Sequence, residues 1–218
     1  MKNGIKNIAK INVFILGTFL YILIGLLILL IFDKSTVHFT INKYNSPFFD
    51  VFFKYLTYIG DGLVTVILVL LIGWFLNSRF RLSTILLGLL TLFFTGLMAQ
   101  FLKRMIYPEA ERPLKYLGEK ILHLVPDVDV HLMNSFPSGH TATGFAFFAF
   151  LAFLARKQSK FVQVLCVIMA ILIAYSRMYL SQHFLEDTIA GAFVGILAYL
   201  IAHLITTVIP FKNNICRN

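Results

Sequence analysis

The amino-acid sequence predicts an all-α integral membrane protein. Six transmembrane helices are expected, with a short interfacial helix before the second and a long outer loop between the third and fourth. Three observations carry this. Hydrophobic residues make up 59% of the 218 and charged residues only 13%, with a mean hydropathy of +0.83, against about half and about a quarter in a soluble domain. The apolar residues gather into uncharged runs near the ~20 residues that cross a bilayer as a helix. The charges divide unequally between alternate connections. A soluble globule and a disordered chain are both excluded.

The first run, 13–32, follows Lys2, Lys6 and Lys10 and has no small-x-small cleavage pattern after it, so an uncleaved span is expected. Asn45-Ser46-Pro47 then offers a cap and a first-turn proline, and Phe48, Phe49, Phe52, Phe53 and Leu56 recur at helical spacing, which reads as a short interfacial helix. Runs 62–78 and 82–102 supply the next two spans. The connection 103–136 is the one long polar segment, and such loops usually carry function or structure of their own. Within it, 113–123 suggests a short helix and 122–132 a small strand pair around Pro126-Asp127. Runs 141–155 and 161–176 are short for a crossing, so their helices are expected to continue into polar residues. Run 188–211 is the last, and nothing divides residues 1–218 into more than one domain.

Net charge is +9, from 19 Lys and Arg against 10 Asp and Glu. The bases never form one dense run beside stacking aromatics, so nucleic acid is not the expected partner. Lys2, Lys6, Lys10, Arg79, Arg81, Arg156, Lys157, Lys160, Lys212 and Arg217 fall in segments on one side, and that side holds no acid. The positive-inside rule makes it cytoplasmic, with both termini.

Cys166 and Cys216 suit packing and tail positions rather than a disulfide, and His38, His123, His131 and His203 have no partner at ligand spacing, so no metal site is expected. The stripe Phe145, Phe147, Phe148, Phe150 and Phe153 reads as packing or lipid contact. Gly191 and Gly195 read as a close helix-packing pair.

Polar residues that remain collect at the outer ends of spans three to six. They are Lys103-Arg104 with Arg112-Pro113; Pro137-Ser138-Gly139-His140; and Ser176-Arg177, His183 and Asp187. Alternating topology puts all of them on one membrane face. Pro137 suits the first turn of span four, with Ser135 or Phe136 near the cap, which would leave the Ser138 and Gly139 amides free as an anion cradle. His183 and Asp187, four apart, share one helical face, so the carboxylate can fix the imidazole tautomer. Arg177 is expected to close span five before a turn near 180–182. With Arg112 and one of Lys103 or Arg104, it would surround the cradle with positive charge.

Together, Pro137-Ser138-Gly139-His140 and Ser176-Arg177-x5-His183-x3-Asp187 resemble the second and third signature motifs of the type 2 phosphatidic acid phosphatase (PAP2) superfamily. The resemblance covers roughly residues 45–205. The first motif departs: the family has a lysine, six intervening residues and then Arg-Pro, whereas here Lys103 leaves eight between itself and Arg112 and Arg104 leaves seven. Lys103 is the favoured counterpart.

This resemblance implies a lipid phosphatase without cofactor or metal. His183 would be the nucleophile and form a phosphohistidine, Asp187 would orient it, and His140 would protonate the leaving oxygen. Lys103, Arg112, Ser138, Gly139 and Arg177 would hold the phosphoryl oxygens. The implied partners are membrane lipids and a lipid phosphate substrate at the outer face of a bacterial cytoplasmic membrane: a carrier lipid pyrophosphate such as undecaprenyl pyrophosphate, phosphatidylglycerol phosphate, or a lipid A phosphate. A phosphotransferase using the same histidine is the alternative. A transporter would need polar residues through the bilayer, and related haloperoxidases are typically soluble. Oligomeric state has no signature in the sequence.

Overall fold

The computed structural model describes residues 11–75, 78–118, 122–156 and 159–208, and among them every regular element is helical. Helix α1 (Asn12–Ile31) is apolar on all sides. Leu16, Phe19, Leu23 and Leu30 stand exposed along it, as expected of a helix facing lipid. Helix α2 (Lys34–Asn42), unexpected from the sequence, starts where the Asp33 carboxylate accepts the Ser35 and Thr36 N–H groups. Helix α3 (Pro47–Leu56) begins as expected, with Ser46 capping the Phe49 N–H and Pro47 in the first turn. A 3-10 turn (Thr57–Gly60) leads into α4 (Gly62–Phe75), bent 66° from the preceding segment.

Helix α5 (Ser78–Phe101) runs into a π turn (Leu102–Ile106). The short α6 (Pro113–Leu117) stops at Gly118, whose φ of 87° favours glycine. Helices α7 (Gly139–Leu154), α8 (Lys160–Tyr179) and α9 (Leu185–Val208) complete the chain. As expected, the helices of the two short runs extend into polar residues, α7 to His140 and α8 to Ser176 and Arg177.

Val13–Ile31, Leu82–Ile106, Lys160–Tyr179 and Leu185–Val208 are long and apolar enough to cross a membrane, and the bent pair of α3 and α4 makes a fifth candidate. Helix α7, at 16 residues, falls short of that length. It lies at the centre, packed against α5, α8 and α9. Phe145, Phe147, Phe148, Phe150 and Phe153 are all buried, which makes the aromatic stripe protein packing rather than lipid contact. Ala149, Ala152, Ala170, Ala192 and Ala202 lie in the same core. Lipid tails are as apolar as leucine, so small residues that admit close van der Waals contact drive such packing.

Two expectations for the outer loop fail. Residues 122–132 form no strand pair: Pro126 and Asp127 do make a turn, but Val125 is buried against Phe53, Tyr179 and Leu180 instead of facing a partner strand. The helix expected over 113–123 ends at Leu117, and residues 119–121 lie outside the described residues. So do the N-terminal lysines, Lys157, Lys212, Arg217 and Cys216, on which much of the charge asymmetry rests.

Candidate active site

The end of α5, the start of α7, the end of α8 and the start of α9 meet at one end of the bundle, where residues 103–118 and 122–138 fold over them. His183 stands in the turn between α8 and α9, two residues before α9 starts, so its pairing with Asp187 is made from a coil and not along one helical face. Its Nδ1 lies 3.3 Å from Asp187 Oδ2. That oxygen also accepts the Phe184 N–H at 2.9 Å, the first-turn carboxylate of α9 reaching back to satisfy an orphan amide. The Ser135 hydroxyl donates to it as well.

His183 is 1% exposed. Burial first, and then the charges of Arg112, Arg177 and Lys103, hold its imidazole well below the usual histidine range. It is therefore neutral near pH 7, with Nδ1 turned to the carboxylate and Nε2 left as the basic nitrogen.

Each cation is anchored by a neighbour. Arg112 donates from Nε to the Met133 carbonyl at 2.9 Å and from Nη1 to Gln182 Oε1 at 2.7 Å. Gln182 is itself tied through Nε2 to the Asp129 carbonyl at 2.8 Å. Arg177, in the last turn of α8, donates from Nη1 to the Thr57 hydroxyl at 2.8 Å, while its buried Nε has no partner among the described residues. Lys103 donates to the Asn134 carbonyl at 3.0 Å. It lies within electrostatic reach of Arg112, Asp187 and Arg177, whereas Arg104 points outward and is exposed. A polar pocket of about 140 Å³ opens beside Arg177 and Gln182, with Lys54, Asp129 and His131 in its wall.

The start of α7 differs from expectation. Ser138, not Ser135 or Phe136, is the cap: its Oγ accepts from the Thr141 N–H at 3.4 Å and the Thr141 hydroxyl at 2.9 Å. Pro137 consequently lies outside the first turn. The Ser138 N–H is not free either, because it donates to the Asp187 carbonyl at 2.9 Å. Gly139, the first helical residue, keeps an amide that no intrahelical acceptor can reach. A Cβ on it would meet nothing within 4 Å, so the side-chain position of Gly139 is open. His140 follows, within electrostatic reach of Arg177, His183, Lys103 and Arg112.

All eight residues singled out from the sequence thus gather at this end of the bundle. Gln182, Thr57 and the Asn134 carbonyl were not anticipated, and Ser135, expected near the cap of α7, bonds Asp187 instead. Their bonds join positions 31 to 120 residues apart, which no local spacing encodes.

A profile of the PAP2 superfamily matches residues 82–210, the segment from α5 to the end of α9. The chain belongs to the PAP2 superfamily. It is 31% identical over 97 residues to phosphatidylglycerophosphatase B of Bacillus subtilis (strain 168), a match covering 40% of this chain and 48% of the relative. It is 32% identical over 105 residues to lipid A 1-phosphatase of Rhizobium johnstonii, covering 48% of this chain and 41% of that protein. The matches therefore span under half the length of either relative. Among solved structures, LpxE of Aquifex aeolicus superposes with a TM-score of 0.63 at 26% identity, covering 77% of this PAP2 chain and 92% of that one.

Proposed function

We propose that this PAP2 chain is a membrane-embedded phosphatase that removes a phosphate from a lipid phosphate or pyrophosphate through a phosphohistidine on His183. The observation that carries the reading is the buried, neutral His183 held by Asp187 beside three anchored cations. His183 Nε2 attacks the terminal phosphorus and the bond from that phosphorus to the leaving oxygen breaks. His140 gives that oxygen its proton, releasing the lipid alcohol from a monophosphate or the lipid monophosphate from a pyrophosphate. Water then attacks the phosphohistidine, His140 takes back a proton, and inorganic phosphate leaves.

Arg112, Arg177 and Lys103 hold the equatorial oxygens together with the Gly139 amide and the Ser138 hydroxyl. Fixed cations aimed at developing charge do the work that magnesium does in other phosphoryl transfers, so no metal is required. In the membrane, α1, α4, α5, α7, α8 and α9 act as six spans with α3 as the interfacial helix before the second, both termini cytoplasmic and the site at the outer face of the bacterial cytoplasmic membrane. The names of the relatives support phosphatidylglycerol phosphate and lipid A phosphate as substrates, and undecaprenyl pyrophosphate shares the same chemistry.

The test is phosphate release by the purified protein in detergent with EDTA, against these three lipids. Release from at least one, absent in His183→Ala, is the expected result. Turnover that needs added magnesium, or that survives His183→Ala, overturns the mechanism. Phosphate appearing on an added lipid or sugar acceptor instead of in solution makes the protein a phosphotransferase.

A further inference from the structure

The first turn of α7 carries Ser138, Gly139 and His140, and its backbone is touched by glycines from two other elements. Gly60 closes the 3-10 turn after α3: a Cβ there would lie 2.6 Å from the His140 carbonyl oxygen and 2.8 Å from Ile173 Cγ2. Gly191 sits in α9, where a Cβ would lie 2.6 Å from the Ser138 carbonyl oxygen and 3.0 Å from Thr141 Cβ. Neither glycine has a positive φ, so close approach, and not backbone freedom, is what the glycine supplies. Gly62 and Gly96 provide the contrast, since a Cβ on either would meet nothing within 4 Å.

We propose that Gly60 and Gly191 are positioning residues that set where the first turn of α7 sits, Gly60 placing His140 and Gly191 placing the Ser138–Gly139 cradle. A methyl group at either position overlaps backbone, which cannot rotate away as a flexible side chain does. Relief from 2.6 Å to an ordinary contact at 3.4 Å moves the turn by roughly 0.8 Å. Displacements near 1 Å at a reacting centre cost on the order of 100-fold in rate. The carbonyl contacts fall on alternate residues of the turn, so the two glycines act on different groups. This inference rests on the roles given above to His140 and to the cradle.

The experiment compares Gly60→Ala, Gly191→Ala and the control Gly96→Ala in detergent, each checked for a monodisperse profile, on p-nitrophenyl phosphate and on an alkyl phosphate. Gly60→Ala should lose on the order of 100-fold on the alkyl substrate and far less on p-nitrophenyl phosphate, whose leaving group needs no proton. It should add no further loss in a His140→Ala background. Gly191→Ala should lose equally on both substrates, and Gly96→Ala should match wild type. Adding Ile173→Ala to Gly60→Ala removes the side-chain overlap and leaves the carbonyl overlap, so the loss should persist. Recovery in that double variant, or wild-type rates in folded Gly60→Ala and Gly191→Ala, overturns the proposal. Failure of all three variants to fold assigns the glycines to folding alone and overturns it too. If His140→Ala itself shows no leaving-group dependence, the role of His140 has failed, a result separable from wild-type behaviour of the glycine variants.

Discussion

Ser135 and His183 share one acceptor: Asp187 Oδ2 takes the Ser135 hydroxyl and lies 3.3 Å from His183 Nδ1. The Phe184 N–H bonds the same atom, so the carboxylate is fixed from three directions before substrate arrives. The imidazole inherits that fixed orientation. Ser135→Ala should keep the Phe184 cap, loosen the carboxylate and lower kcat about tenfold, or about 1.4 kcal/mol, with KM little changed. Asp187→Asn should be more severe, because an amide can present N–H₂ to the imidazole and favour the wrong tautomer. Wild-type kcat in folded Ser135→Ala would remove the serine from this account.

Gln182 links the turn that holds His183 to Arg112. It is 2% exposed and receives Arg112 Nη1 at 2.7 Å. Gln182→Met keeps the bulk and removes the shorter acceptor, leaving Arg112 Nη1 only the Gln182 carbonyl at 3.3 Å, a loss of about 1–3 kcal/mol in its anchoring. Arg112 should then hold phosphate less well, so KM should rise more than kcat falls. Steady-state kinetics in detergent check this, and an unchanged KM denies Gln182 its part.

Much of the fold was legible because membrane helices announce themselves by composition, and the third motif was legible from its spacing, although its two ends lie on α8 and α9 and His183 in the turn between them. The strand pair misread at 122–132 shows the limit. Leu122 and Val125 are buried and Val128 packs beside Val125, inward positions three apart that follow tertiary contacts and not a strand's period of two. Helix α2 was missed although Asp33 ahead of Ser35 and Thr36 is an N-cap signal, because the helix is short and weakly apolar. The free Ser138 amide was misjudged because its acceptor, the Asp187 carbonyl, comes from 49 residues away.

Protonation of His38 should be felt in stability. His38 is 2% exposed, with Nε2 3.3 Å from Ser181 Oγ and a buried Nδ1 that has no partner among the described residues. Burial pushes its pKa down to about 4, against an opposing pull from Asp187. An unfolded chain takes up this proton near pH 6.5 and the folded one does not, so the stabilisation is complete above pH 6.5 and is lost as pH falls toward 4. The full loss is roughly 3 kcal/mol. The apparent melting temperature should fall from pH 7 to pH 5, and less in His38→Gln. An equal fall in the variant would clear His38.

Sidedness can be read with thiols in a cysteine-free background. Asp127 and Ser159 are both exposed, the first in the outer loop and the second just before α8. A membrane-impermeant reagent on intact cells should label Asp127→Cys and spare Ser159→Cys. The reverse pattern would place the site inside and redirect the search for substrates.

The displaced first motif gives the last prediction. Two more residues separate Lys103 from Arg112 than the family's first motif has. The structure absorbs them in two places, a π turn closed by the Tyr107 N–H on the Leu102 carbonyl at 2.9 Å and a turn in which the Ala110 N–H reaches the Tyr107 carbonyl at 3.3 Å. A π turn takes one residue more per turn than an α-helix, which re-aims the side chains that follow it. Lys103 is half-buried and donates to the Asn134 carbonyl, while Arg104, rotated by about 100°, is exposed. Lys103→Ala should therefore remove a preorganised donor and cost about 2–4 kcal/mol in kcat/KM, and Arg104→Ala should cost far less. If Arg104→Ala is the crippling change, the lysine's place in the motif belongs to Arg104, and the π turn has to unwind when substrate binds.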